Sequence, residues 1–436
     1  MGWRLLVVPV VAAVVFGVEV LLSFRGRYAP PPVPRPPLEG LALPSYVVPP
    51  QEVGRGPLPE GKVVLVDTAH ANRYDPQEIE VLLRHLTERG VRLEYLGHPT
   101  PRGTFLPAAQ RAARLEERTR YADAFLTVAP ADPFTPEEVE TLQRFVHKGG
   151  RILLVGDPHR PGALNSLANA FGITFGSDSL YNLKEHGGNY QYVFFTRFTP
   201  DPLTAGLQRL TLFGAGSLRA PVSLVLADEN TFSSTKERYE VLSPMGKDVT
   251  GRVVAVADLT FLGEPWNAFT DNDRFIANLA DFLTGGRRVF TLADFPFFFR
   301  GDVDVVAERE ELLPHAMGVQ ALLSRAEREV RLQSREDFGR DRVLLVLFSE
   351  KSRVAPYTSS VGVDIDHTRI TTPLAPPLER KGAGLILLAS SGGRHVLVLM
   401  AEDAEGIGVL VERLRSGAFR RHLVHDMLGL YPDVRP

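Results

Sequence analysis

Hydrophobic and polar positions follow two alternating patterns along much of the chain. Runs of consecutive aliphatic residues are separated by segments in which apolar residues recur every three or four positions. An unbroken aliphatic run is typical of a strand buried on both faces, and the longer spacing is typical of an amphipathic helix. The predicted strands are 62–67, 91–96, 124–129, 151–156 and 252–258, and the predicted helices are 74–90, 135–148, 163–171 and 271–283. This alternation predicts an α/β domain over residues 61–286, with a doubly wound, mostly parallel sheet.

Two other regions show different patterns. Residues 190–250 contain shorter and more polar β-rich segments, which predict an elaboration at the edge of the sheet. Residues 287–436 return to longer apolar runs and predict a second, smaller α/β domain. Its predicted helices are 315–332, 404–414 and 418–427, and its predicted strands are 342–348, 384–389 and 395–400.

The N-terminal segment is apolar from Leu5 to Leu22 except at Glu19. About 18 helical residues rise close to the ~30 Å of a bilayer core. We therefore expect an uncleaved single-pass membrane anchor in residues 1–28, with a cleaved signal peptide as the alternative, and an extracytoplasmic position for the soluble part. Residues 29–60 are rich in proline and predict a semi-rigid stalk.

Charge and cysteine content exclude several classes of function. The 49 basic and 52 acidic residues give a net charge of −3, which disfavours nucleic acid as a partner. Cysteine is absent, so disulfides, cysteine-ligated metals and cysteine nucleophiles are excluded. No Gly-x-Ser-x-Gly elbow or phosphate-binding P-loop occurs in the sequence either.

Acids, amides and histidines follow several of the predicted strands. Parallel strands end at a common edge of their sheet, where ligands of α/β proteins bind. The candidate pocket residues are Asp67, His70, Asn72, Asp157, His159, Asp258 and Asn272.

These residue types fit more than one role. Two aspartates and two histidines suit Zn, Mn or Fe, so Asp67, His70, Asp157 and His159 define an alternative function, a metal-dependent hydrolase. A third interpretation is structural, because Asp and Asn after a strand commonly cap a turn or the following helix.

Three motifs, in this order, resemble the amidotransferase-like domain of gliding-motility ABC-transporter accessory proteins, intraflagellar-transport proteins and many membrane-anchored bacterial proteins. They are Asp67-x-x-His70-x-Asn72, then Thr135-Pro-Glu-Glu…Gly149-Gly150-Arg-Ile-Leu-Leu, and finally Asp258…Asp271-Asn272…Phe275…Asn278…Leu283. The resemblance covers about residues 61–286. It implies a flavodoxin-like fold shared with class I glutamine amidotransferases, without their catalytic apparatus. The strand comparable to the one before their catalytic cysteine ends here in Val155-Gly-Asp157-Pro-His-Arg160.

The sequence thus favours a membrane-anchored, non-catalytic binding or accessory protein without a cofactor. The resemblance implies a membrane protein as its partner, such as a component of an ABC-type transporter.

Overall fold

The computed structural model describes residues 4–24, 61–99, 106–160, 162–235, 241–324 and 329–435. The chain divides into two compact units, residues 1–50 and 51–436. The predicted proline-rich stalk, residues 29–60, lies outside the described residues.

The first unit contains helix α1, Arg4–Phe24. Among the described residues, no helix is both long enough and apolar enough to cross a membrane. The prediction of a single-pass anchor in residues 1–28, with the membrane localisation that followed from it, is therefore wrong.

The second unit contains two large sheets, the first built from residues 63–256. Its strands are β1 Val63–Val66, β2 Arg92–Tyr95, β3 Ala124–Val128, β4 Arg151–Val155, β5 Thr174–Phe175, β6 Leu180–Asn182, β7 Tyr192–Phe195, β8 Arg197–Phe198, β9 Leu210–Phe213, β10 Leu218–Arg219, β11 Val222–Leu226, β12 Thr231–Ser233, β13 Met245–Lys247 and β14 Val253–Val256. Its helices are α2 Glu80–Glu88, α3 Ala108–Thr119, α4 Pro136–His147, α5 Asn165–Ala168 and α6 Asn272–Thr284.

The first sheet has eight strands in the order β2-β1-β3-β4-β14-β13-β11-β8. The first five run parallel to one another, and β13, β11 and β8 add to them in antiparallel fashion. The remaining strands form small two-stranded sheets. The mixed α/β class, the mostly parallel sheet and the β-rich elaboration are thus confirmed.

Each face of this sheet contributes to a separate hydrophobic core. Val64 and Val66 of β1 lie in one core with residues of α2 and α6. Val63 and Leu65 lie in the other core, with residues of α3 and α4. Both faces of the central strands are therefore apolar, which explains their unbroken aliphatic sequences.

The second sheet spans residues 303–431. Its strands and those of a small three-stranded sheet are β15 Val303–Val306, β16 Val330–Gln333, β17 Asp341–Leu347, β18 Asp364–Ile365, β19 Arg369–Thr372, β20 Ala375–Glu379, β21 Gly384–Ser391, β22 Arg394–Ala401, β23 Leu423–His425 and β24 Leu428–Tyr431. The accompanying helices are α7 Leu313–Ser324, α8 Ala355–Ser360 and α9 Ala404–Ser416. The seven-stranded order is β16-β15-β17-β22-β21-β24-β23, of which the first four are parallel.

Two predicted helices of this region extend too far. Helix α7 ends at Ser324, and Val330 pairs with Val303 in the sheet instead of continuing the helix. The predicted helix 418–427 is a short 3₁₀ segment followed by β23, because Gly417 ends α9 with a φ of 76° and Leu423 pairs with Gly429. Strand pairing overrides the local helical pattern in both places.

Candidate functional site

The parallel strands β1, β3, β4 and β14 end at one edge of the first sheet, and most of the candidate residues follow them. The residues lie there in distinct groups. No hydrogen bond or ion pair among the described residues joins Asp67 or His70 to Asp157 or His159.

The first group is a buried network around Asp67, whose side chain has no solvent exposure. Its Oδ1 atom lies 2.8 Å from Nδ1 of His70. Its Oδ2 atom accepts hydrogen bonds from Oγ1 of Thr127 at 2.7 Å and from Nδ2 of Asn72 at 3.2 Å. Asn72 also donates to the carbonyl of Val128 and accepts from the backbone N–H of His70, so it ties β3 to the loop after β1.

Glu138 and Arg111 extend this network to α3 and α4. Glu138 is fully buried, and its Oε1 atom lies 3.4 Å from Nε2 of His70, without the geometry of a hydrogen bond. The same oxygen accepts a hydrogen bond from Nε of Arg111 at 2.7 Å. Its other oxygen accepts the backbone N–H of Thr135 and completes the capping box of α4. Phe134 stacks on the imidazole with 3.8 Å between ring centroids. His70 is therefore enclosed on all these sides by protein groups.

The two carboxylates hold His70 in its charged form. Burial by itself lowers the pKa of His70, but Asp67 and Glu138 outweigh it and raise that pKa to about 9. Burial acts to raise the pKa values of both acids, yet His70 and hydrogen bonds hold the pKa of Asp67 below its ordinary value. His70 and Arg111 likewise lower the pKa of Glu138 to about 2. An imidazolium between two carboxylates is suited to stabilising the fold and not to ligating a metal.

The backbone near these residues is strained at two alanines. Ala71, between His70 and Asn72, has a φ of 49°, and Ala129, directly after β3, has a φ of 40°. Residues other than glycine adopt such values at a cost of about 1–3 kcal/mol and do so most often at functional sites. Hydrogen bonds from Ala129 to Val155 and from Arg73 to Ala129 hold the second of them in place.

A pocket of about 400 Å³ opens beyond the ends of β3, β4 and β14. Among the candidate residues, Asp157 lines it. The lining residues are Ala129, Pro130, Gly156, Asp157, Pro158, Arg160, Gly162, Leu164, Asn165, Phe175, Gly176, Ser177, Gly216 and Ala257.

Asp157 provides the acidic side of this pocket, and its side chain is only 7% exposed. Its Oδ1 atom accepts the backbone N–H of His159 at 2.8 Å and lies 3.3 Å from Nδ1 of that histidine. Its Oδ2 atom lies 3.7 Å from Nε of Arg160. The guanidinium of Arg160 instead donates to the carboxylate of Glu78 at 2.7 Å and to the carbonyl of Arg73 at 2.9 Å. His159 itself is about half exposed.

Phe175 forms a wall of the pocket against Gly156. A Cβ atom at Gly156 would lie 2.8 Å from Cε1 of the ring, so only glycine fits at this position without a shift of the ring. The amide of Asn165 holds Phe175 from both sides of its backbone: Nδ2 donates to the carbonyl at 2.9 Å, and Oδ1 accepts the N–H at 2.8 Å. The aromatic wall is therefore fixed relative to the start of α5.

Asp258 lies behind the pocket and does not line it. It is buried, and it accepts the backbone N–H groups of Phe213 and Thr260, each at 2.8 Å. Burial raises its pKa to about 7, opposed by these hydrogen bonds and assisted by the charge of Asp157. This last effect places Asp258 and Asp157 within electrostatic reach of each other.

Asn272 belongs to a different part of the structure. Its amide exchanges two hydrogen bonds with the backbone of Thr211, at 3.0 and 2.8 Å, and donates to the carbonyl of Trp266. It therefore joins the start of α6 to β9, in the manner of a cross-strand pair. The structure supports a structural role for it.

Sequence reasoning missed Glu138, Arg111, Arg160 and Phe175. The sequence Thr135-Pro-Glu-Glu indicated that Glu138 caps the helix. It could not indicate that His70 lies nearby, because the same N-cap sequence occurs with or without a neighbouring histidine. Within the part of the chain that the structure describes, no group of three or more His, Asp or Glu side chains is arranged to hold a metal ion. Asp67 and His70 bind each other, and Asp157 contacts His159 and Arg160.

Comparisons with known proteins do not assign a family. No family model and no curated protein matches the chain. Solved structures do match, among them the "mmIFT52 N-terminal domain", which is similar at 14% identity, over 51% of this chain and 97% of that one, with a TM-score of 0.38. These values do not establish a shared fold.

Proposed function

We propose that this protein is a non-catalytic binding protein that holds a small organic ligand in the pocket between Asp157 and Phe175. The observation that carries the proposal is the pocket itself, about 400 Å³ beyond the ends of three parallel strands. This is the position at which α/β sheets bind ligands, and its size falls within the usual range of about 300–1,000 Å³.

The chemistry of the pocket favours binding over turnover. The sequence contains no cysteine. By the resemblance to amidotransferases, Asp157 follows the strand after which those enzymes carry their cysteine nucleophile. The nearest histidine in the sequence, His159, contacts Asp157 and is half exposed. The buried histidine His70 is held between two carboxylates and is not available as a base.

The resemblance to amidotransferase-like accessory domains supplies the wider setting of this proposal. The placement of α2 and α6 in one core and of α3 and α4 in the other supports a doubly wound sheet of that type. Association with components of an ABC-type transport system stays a prediction from the same resemblance.

Ligand screening with the purified full chain tests the proposal. We expect a subset of a library of small metabolites to raise the melting temperature, and NMR of the mixtures to show each compound unchanged. Ser177 is an exposed lining residue, so Ser177→Trp should obstruct the pocket without disturbing the core and abolish these shifts.

Ser352→Trp is the matched control, since Ser352 is also exposed and does not line the pocket. Compounds that stabilise wild type and both variants equally would bind elsewhere and contradict the proposal. Conversion of a bound compound would contradict its non-catalytic part.

A further inference from the structure

The charges around the pocket are unequal. Among its fourteen lining residues, all of them in described parts of the chain, Asp157 and Arg160 carry formal charge. The Arg160 guanidinium is paired with Glu78 through hydrogen bonds to both carboxylate oxygens. The net formal charge at the wall of the pocket is therefore −1 when Asp157, Arg160 and Glu78 are counted together.

One oxygen of Asp157 is available to a ligand. Oδ1 accepts the N–H of His159, but Oδ2 accepts no hydrogen bond from any residue that the structure describes, and its distance of 3.7 Å to Arg160 is too long for one. A carboxylate that is 7% exposed has lost most of its water, so it gains from a donor that the ligand brings.

The rest of the wall is apolar and includes an aromatic ring. Pro130, Pro158, Leu164 and Ala257 line the pocket together with Phe175. The ring of Phe175 packs against Gly156, which directly precedes Asp157 in the chain. A carboxylate beside a fixed aromatic ring is the combination that attracts an alkylated ammonium group, through an ion pair and a cation–π contact.

Resting on the proposed function, we infer that the pocket selects small organic cations, with the ammonium group directed at Asp157 and the alkyl part against Phe175 and Leu164. An anionic ligand would meet the charge of Asp157, while the one lining cation already has Glu78 as its partner. A neutral ligand of the same shape would fill the pocket but leave the Asp157 oxygen without a charged donor.

Calorimetric titration of the full chain with matched probes tests this inference. The probes are choline and n-butylamine, compared with their neutral analogues 3,3-dimethyl-1-butanol and n-butanol, at about pH 8, where an ordinary imidazole is neutral. We expect each cation to bind roughly ten-fold or more tightly than its neutral analogue. Asp157→Asn should remove this preference, whereas Asp433→Asn, at an exposed acid outside the pocket, should preserve it.

The outcomes separate the inference from the proposed function. Equal binding of cations and neutral analogues, or a preference that survives Asp157→Asn, would overturn the inference and leave a binding pocket in place. Failure of both cations to bind would also overturn it. The metabolite screen tests the proposed function separately, and the proposed function fails there if Ser177→Trp leaves every hit unchanged.

Discussion

Nδ1 of His70 lies 2.8 Å from Oδ1 of Asp67, and neither side chain is exposed to solvent. On the other side of the ring, Nε2 faces the equally buried Glu138 at 3.4 Å. A histidine that looked from the sequence like a ligand is thus a buried cation that joins the loop after β1 to helix α4. Its contribution is to stability, and it depends on pH.

Replacing His70 with Gln should destabilise the protein most strongly at low pH. Removing one partner of a buried ion pair costs about 3–5 kcal/mol. Because folding raises the pKa of His70 from 6.5 to about 9, its contribution is complete below about pH 6.5 and is lost as pH rises through 9. The free energy of unfolding in urea, measured between pH 6 and 10, should show wild type and variant converging. A difference that stays constant would contradict the charge assignment, and His367→Gln, at an exposed site, should show no such trend.

Arg111→Met should be similarly costly, because Glu138 would lose its hydrogen bond of 2.7 Å from Arg111 while remaining buried. We expect a loss of about 3 kcal/mol or more in the free energy of unfolding. The double variant Arg111→Met with Glu138→Met should recover much of it, since no unpaired carboxylate then remains. Arg114→Met on the same helix is the control, because Arg114 is exposed and should cost less than about 1 kcal/mol. Equal losses at Arg111 and Arg114 would refute the network.

Asp258 should make the protein less stable as pH rises from about 4 to 7. Folding raises its pKa from 3.8 to about 7, so in this range the folded state retains a proton that the unfolded state has released. The stability of wild type relative to Asp258→Asn should therefore fall across this interval and level off above it.

The pKa of Asp258 also depends on Asp157, because the charge of Asp157 helps to raise it. Asp157→Asn should lower the pKa of Asp258 in a carboxyl ¹³C NMR titration, and Asp433→Asn should leave it unchanged. If neither variant shifts the titration, the two acids are not coupled and the electrostatic description of the pocket is incorrect.

Gly156→Ala should destabilise the protein by about 1–3 kcal/mol, because the new methyl group would lie 2.8 Å from the Phe175 ring. Phe175→Leu removes the ring, so a double-mutant cycle should show a favourable coupling between the two changes. Gly61→Ala is the matched control, as no atom of the described residues, apart from Gly61 and its chain neighbours, lies within 4 Å of its Cβ position. Additive effects at 156 and 175 would show that the ring moves freely, contrary to its fixed position beside Asn165.

The sequence was sufficient for the parallel strands, because Val63–Val66 and Val253–Val256 are apolar at every position and can only be buried on both faces. It was insufficient where polar partners come from distant segments. Nothing local distinguishes Glu138 from an ordinary capping acid, and Arg111 lies in a charged helix, α3, in which Leu115 is the sole large apolar residue. Strand β15 was missed for a related reason, since the buried Asp304 interrupts its short apolar run. Most of the predicted acid and histidine positions follow parallel strands at one edge of the sheet, but the contacts that separate them into groups depend on tertiary structure.

Crystallographic fragment screening of the full chain tests the central claim most directly. Soaking crystals of the wild-type protein with a library of small neutral and cationic fragments should place several of them in the pocket between Asp157 and Phe175. Cationic fragments should direct their nitrogen to Oδ2 of Asp157. If fragments occupy other surfaces while this pocket stays empty across the library, the protein does not use the site for binding, and the proposed function is wrong.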